Sequence, residues 1–85
     1  MFTVYVLYSK TFNKIYIGCT SNLEARLKSH NELGVRDWAI RYRPWEVVFT
    51  EIFVAKQDAM KREKILKSGK GREMIWNIIK ENNLA

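Results

Sequence analysis

Two runs of apolar, aromatic and β-branched residues, FTVYVLYS at 2–9 and IYIGC at 15–19, are joined by a short polar segment. Each has the composition of a strand. The joining residues 11–14 include Asn13, a residue that favours turns. The pair therefore predicts a hairpin. A lone hairpin is marginal in water, so the rest of the chain has to supply a third strand or covering helices. Gly18, inside the second run, predicts a bulge or a close approach of another backbone.

The remaining residues provide such partners. Ser21 with Glu24 three residues on forms the pattern of a capping box, which starts a helix running to about His30. Leu23 and Leu27 give this helix an apolar face. Residues 31–43 have no clear period and read as a long loop, a kind of segment that is usually functional. Residues 45–53, WEVVFTEIF, read as a third strand behind Pro44. Residues 57–67 read as a helix stopped by Ser68 and Gly69. Residues 72–81 read as a last helix that buries Met74, Ile75, Ile78 and Ile79. The order β-β-α-β-α-α predicts an α+β fold, a small three-stranded antiparallel sheet flanked by helices. With 85 residues and 47% hydrophobic content, one domain over residues 1–85 is expected. No apolar run approaches the roughly 18 residues of a membrane span. The first strand lacks a preceding basic segment, so it does not read as a signal peptide, and a cytoplasmic protein is expected by default. Cys19, being alone, can form no internal disulfide.

The formal net charge is +6, and the excess is local. Residues 56–72 contain seven basic side chains (Lys56, Lys61, Arg62, Lys64, Lys67, Lys70 and Arg72) against Asp58 and Glu63. Clustered basic charge near aromatics suits a polyanion, most often nucleic acid. The same cluster is also what a solvated helix face looks like. Lys61, Arg62, Lys64, Lys67, Lys70 and Arg72, with Arg41 and Arg43 of the RYRPW segment, are the expected nucleic-acid contacts.

Several chemistries lack their residues. There is one histidine, no Cys/His pair at zinc spacing and no glycine-rich phosphate loop. No pair of nearby acids suggests a two-metal centre. Four residues remain of interest. Tyr5 and Tyr16 fall on adjacent strands, roughly opposite one another, and serve either as a pair of phenols or as ordinary core tyrosines. Arg26, with His30, lies at the edge of the apolar face of the first helix. Its guanidinium either grips a phosphate or lies over the core with its head in water. Glu63 interrupts a stripe made of Ala59, Met60 and Leu66, and such a carboxylate needs a metal ion, a donor or a salt-bridge partner.

TVY at 3–5, YIG at 16–18 and an arginine eight residues further on resemble the GIY-YIG nuclease superfamily. RLKSHN at 26–31, RYRPW at 41–45 and AMKREKILKSGKGRE at 59–73 extend the likeness to its small, single-domain bacterial branch. The family's leading glycine is replaced by Thr3. The resemblance implies a nuclease dependent on one divalent ion, Mg²⁺ or Mn²⁺, with Glu63 as the metal ligand; one carboxylate suffices for an ion that keeps its waters. It implies that Arg26 stabilises charge on the scissile phosphate. Tyr5 is expected as base or proton relay and Tyr16 as the group that orients water. His30 is expected to pass a proton or bind phosphate. Asn77 is spaced plausibly for a further role but falls in a helix. Cys19 stands where many relatives carry a lysine or other polar residue, which puts cation-assisted activation of the tyrosine in doubt. Without a separate recognition domain, binding should run through phosphates with steep salt dependence. A structure-selective or partner-directed endonuclease, with DNA favoured over RNA, is the expected function, and a monomer is assumed. A non-catalytic nucleic-acid-binding module on the same fold is the alternative. A protein-interaction domain using Trp38, Tyr42 and Trp45 is a third reading.

Overall fold

A computed structural model describes residues 1–29, 31 and 41–82. The elements are β1 (Phe2–Ser9), β2 (Lys14–Thr20), α1 (Leu23–Lys28), β3 (Glu46–Phe53), α2 (Lys56–Leu66) and α3 (Gly69–Glu81). The three strands form one antiparallel sheet in the order β2-β1-β3. The fold is α+β in the order expected. No helix among the described residues is long and apolar enough to cross a membrane.

β1 lies at the centre of the sheet and is buried on both faces, which explains why it reads as a nearly unbroken apolar run instead of an alternating one. Val4, Val6 and Tyr8 point to one side, where Ile15 and Ile17 of β2 meet Ala59 and Leu66 of α2 and Ile75 and Ile79 of α3. Tyr5 and Leu7 point to the other side, together with Trp45 and the half-buried Tyr16, Leu23, Leu27 and Tyr42. Helices therefore cover both faces, α1 one and the α2–α3 pair the other. The β1–β2 register runs without a break from Thr3 opposite Thr20 to Ser9 opposite Lys14. No bulge occurs at Gly18. The irregularity lies on the other side of β1, where Val6 pairs Phe49 but Leu7 pairs Val47.

The helix boundaries differ from the sequence pattern at two caps. Asn22, not Ser21, caps α1: its side-chain oxygen accepts the Ala25 amide at 3.1 Å. Thr20 fixes this entry, because its hydroxyl accepts the Asn22 amide at 3.1 Å. At the other corner α2 stops before Ser68, as expected, but no gap follows. Ser68 caps α3, accepting the Gly71 amide at 3.3 Å while its hydroxyl donates to the Ile65 carbonyl. α3 therefore starts at Gly69, earlier than expected. Gly71 packs so tightly against the Ile65 and Leu66 backbone that any side chain there would collide with it. This close corner brings α3 beside the far end of α2. Met60 lies outside the buried stripe of α2, 54% exposed, whereas Ala59 and Leu66 are fully buried.

Candidate active site

Tyr5 and Tyr16 share a face of the sheet but are diagonal neighbours, not opposite ones. Tyr5 faces Gly18 and Tyr16 faces Leu7. Their rings stack at 6.3 Å between centroids with planes 21° apart. Trp45 meets Tyr16 edge-on at 6.3 Å. The Tyr5 phenol lies across Gly18, and a Cβ at that position would stand 2.5 Å from the hydroxyl. The close approach expected at Gly18 is thus made by a side chain. On the edge strand β2 this missing side chain leaves room for the Tyr5 hydroxyl to reach over the strand.

Side chains from three other elements act on that hydroxyl. Burial raises its proton affinity well above the ordinary phenol range, and the neighbouring Tyr16 adds to this. Arg26 of α1 opposes the shift, while Glu63 of α2 and Cys19 of β2 strengthen it. Tyr5, Tyr16, Arg26 and Glu63 therefore share one electrostatic neighbourhood. Cys19 belongs to the same group: burial pushes its thiol up, Glu63 pushes it further, and Lys56 at the start of α2 opposes both. Tyr16 is only half-buried and lines an open cavity.

Glu63 is paired with Lys67 one turn further along α2, at 3.3 Å. Both readings of this carboxylate therefore meet at one place. The glutamate side chain is 25% exposed and the lysine 49%, and an exposed i,i+4 pair contributes about 0.3–0.5 kcal/mol. Such a pair is too weak to prevent a divalent ion from taking the carboxylate. Among the described residues no group of three or more His, Cys, Asp or Glu side chains could cage a metal. The donor set, one carboxylate beside two phenols, fits a hard ion that retains most of its water.

The basic residues divide between the two flanks of α2. Lys67 lines a cavity with Tyr16 on the β2 side, and Arg72 at the start of α3 joins it. Arg62 lies on the β3 side, bound to Glu51 at 2.8 Å, and Lys61 lines a shallow groove there with Glu51 and Asp58. Lys64, Lys70 and Arg41 are exposed. Arg43 is half-buried and donates to the Ser29 carbonyl at 3.3 Å. His30 and Trp38 lie outside the described residues. Trp45, 3% exposed, is a core residue and not an open contact surface. Its backbone is held by Asn31, whose side chain accepts the Trp45 amide at 2.7 Å and donates to the Trp45 carbonyl at 3.0 Å. Asn31 therefore ties the segment before β3 to the residues after α1. The RLKSHN block contains this asparagine, and only its tertiary partner was hidden in the sequence. Lys14, a single lysine at the start of β2 and outside the basic run at 56–72, carries no signal of its own in the sequence. It lies over the Tyr42 ring at 5.7 Å and lines the same cavity as Tyr16.

Comparison with known proteins gives a consistent picture. A family model described as the GIY-YIG catalytic domain matches residues 1–77. The chain is 37% identical over 65 residues to a UPF0213 protein of Staphylococcus haemolyticus, covering 76% of this chain and 78% of that one. It is 33% identical over 84 residues to a UPF0213 protein of Clostridium perfringens, covering 94% of this chain and 89% of that one. No solved structure matches the chain.

Proposed function

Because the chain belongs to the GIY-YIG family, we propose that it is a divalent-metal-dependent endonuclease that hydrolyses phosphodiester bonds. DNA is favoured over RNA, and the choice of target is structure-selective or set by a partner. One observation carries this reading: Tyr16, Arg26 and Glu63, from three separate elements, all act on the Tyr5 hydroxyl.

Glu63 would hold Mg²⁺ or Mn²⁺, which when bound supplies positive charge beside the scissile phosphate and acidifies coordinated water. Arg26 stabilises the charge that grows on the phosphate oxygens as water attacks phosphorus. Tyr16, half-buried and facing the open cavity, receives or relays the proton of that water. Tyr5, buried against Gly18, positions the site through its hydroxyl, and in this reading the roles expected for the two tyrosines are exchanged. The phosphorus–oxygen bond to the leaving group then breaks, and the departing oxygen takes up a proton, for which His30 is the proposed source. Lys67 and Arg72, next to Tyr16, are the foremost phosphate contacts. Lys61, Lys64, Lys70 and Arg41 extend the basic surface, and Arg62 and Arg43 would contribute alongside their bonds to Glu51 and Ser29.

The test is nicking of plasmid and branched DNA with Mg²⁺ or Mn²⁺. Glu63→Ala and Arg26→Ala are each expected to lower the rate by at least about 100-fold, the scale seen when one preorganised electrostatic group is removed. Equal activity in all three proteins would overturn the proposal. The Glu63–Lys67 ion pair favours a second reading, a nucleic-acid-binding module without catalysis. In that case binding survives Glu63→Ala, needs no metal and no cleavage appears.

A further inference from the structure

On the outer side of β2, a cavity of about 450 Å³ opens between that strand and the α2–α3 corner. Asn13, Lys14 and Tyr16 line it from the hairpin, and Lys67, Arg72 and Trp76 from the helices. Among the described residues three cations line it and no acid does. The groove on the other flank of α2 differs, since Glu51 and Asp58 balance Lys61 and Arg62 there. On the β2 flank Lys67 is paired to Glu63, while Lys14 and Arg72 leave an excess of positive charge. The cavity adjoins the candidate active site directly: Tyr16 belongs to both, and Lys67 lines the cavity while binding Glu63 at 3.3 Å.

The cavity also offers a platform for a ring. Trp76 is held by Tyr8, edge to face at 6.0 Å. It borders this cavity on one side and, on the other, a second cavity lined by Glu73, Asn77 and Lys80. The side with Lys14, Lys67 and Arg72 suits a phosphate. The mixed side, with a carboxylate and two amides if Asn13 is included, suits the polar edge of a base. Arg72 donates through Nε to the Lys67 carbonyl at 3.3 Å, which fixes the guanidinium while its outer edge remains for an anion.

We propose that this cavity binds one nucleotide of the strand leaving the cleavage site, with its phosphate on Lys14, Lys67 and Arg72 and its base on Trp76. The inference rests on the nuclease reading for the meaning of the adjoining site. It adds a preference: a base can lie on an indole only when it is unpaired, so the flank beside the cut is single-stranded. The substrate class is then a junction between duplex and single strand, not uninterrupted duplex.

The experiment is fluorescence anisotropy with a short labelled oligo-dT strand and with a blunt duplex, in EDTA so that no cleavage occurs. The wild-type chain is expected to bind the single strand more tightly. Lys14→Gln and Arg72→Gln should each weaken strand binding about tenfold and lower the salt slope by roughly 0.7, the value for one lost phosphate contact on a single strand. Lys28→Gln, an exposed lysine of α1 that lines neither cavity, should change it less than about twofold. Oligo-dT should quench tryptophan fluorescence in the wild type and not in Trp76→Phe. Equal losses in Lys28→Gln and Arg72→Gln, or an unchanged salt slope in both pocket variants, would overturn the proposal. Lys14 and Arg72 are exposed, so their variants remain informative even if Trp76→Phe disturbs the packing on Tyr8. Absence of metal-dependent cleavage alongside the expected binding pattern would remove the nuclease reading and leave the nucleotide pocket standing. Glu63-dependent cleavage with binding indifferent to Lys14 and Arg72 would do the reverse.

Discussion

Gly18 and Tyr5 occupy one volume between them, the phenol filling the space of the side chain that glycine lacks. The neighbouring phenol is buried and cannot swing away freely. Gly18→Ala is therefore expected to destabilise the fold by about 1–3 kcal/mol, the usual cost of overpacking, and to displace Tyr5. Urea denaturation checks this: the midpoint should fall with little change in slope, and Tyr5→Phe in the same chain should recover part of the loss. Burial also sets the pH behaviour of Tyr5. Its proton affinity is raised in the folded chain, so its stabilising contribution is complete below the unfolded phenol value of about 10 and is lost as pH rises beyond it. Stability should consequently fall more steeply above about pH 10 in the wild type than in Tyr5→Phe, as read from urea midpoints at pH 9 and pH 11. A matching decline in both proteins would remove Tyr5 as its source. At this scale the sequence pattern identified the tyrosines but not their unequal burial. Motif spacing placed both phenols on one face, whereas their different burial depends on Trp45 and on the two-sided packing of β1.

Among the elements, α2 was the hardest to read. Its composition is dominated by charge, so the narrow apolar stripe had to be inferred from few residues, and Met60 was assigned to it. The helix turns Ala59 and Leu66 inward and Met60 outward. Leu66→Ala should cost about 2–5 kcal/mol, as for other fully buried leucines. Met60→Ala should stay within about 0.5 kcal/mol, as is usual for surface positions. Similar losses at the two positions would show that the face has been assigned wrongly. The strands were easier to read, because a central strand buried on both sides has few ways to disguise its apolar run. The caps were less legible: Ser21 and Ser68 both carry good capping side chains, but Thr20 selects Asn22 at the first, and the tight Gly71 corner makes Ser68 a beginning at the second.

Across the whole molecule, the division of charge between the two flanks of α2 links the cavity to the candidate metal ligand through Lys67. This lysine belongs to the basic run that the sequence displays, but a run has no flanks until the helix is placed on the sheet. Lys67 serves two opposed ends in the proposed function. Its ammonium stands where a divalent ion would approach Glu63, and it also contributes to the phosphate pocket. Replacing it with an uncharged side chain of similar length should separate these effects. In Lys67→Met, Glu63 no longer has a competing cation, and the loss of a pair contributing about 0.3–0.5 kcal/mol corresponds to roughly a twofold change in affinity. The Mg²⁺ concentration giving half-maximal nicking should fall by about that factor. Meanwhile the half-saturating concentration of DNA should rise by about fivefold or more, because a phosphate contact is gone. Measuring both on the same preparation makes the prediction strict. Two shifts in the same direction would show that Lys67 does not stand between the metal ligand and the strand.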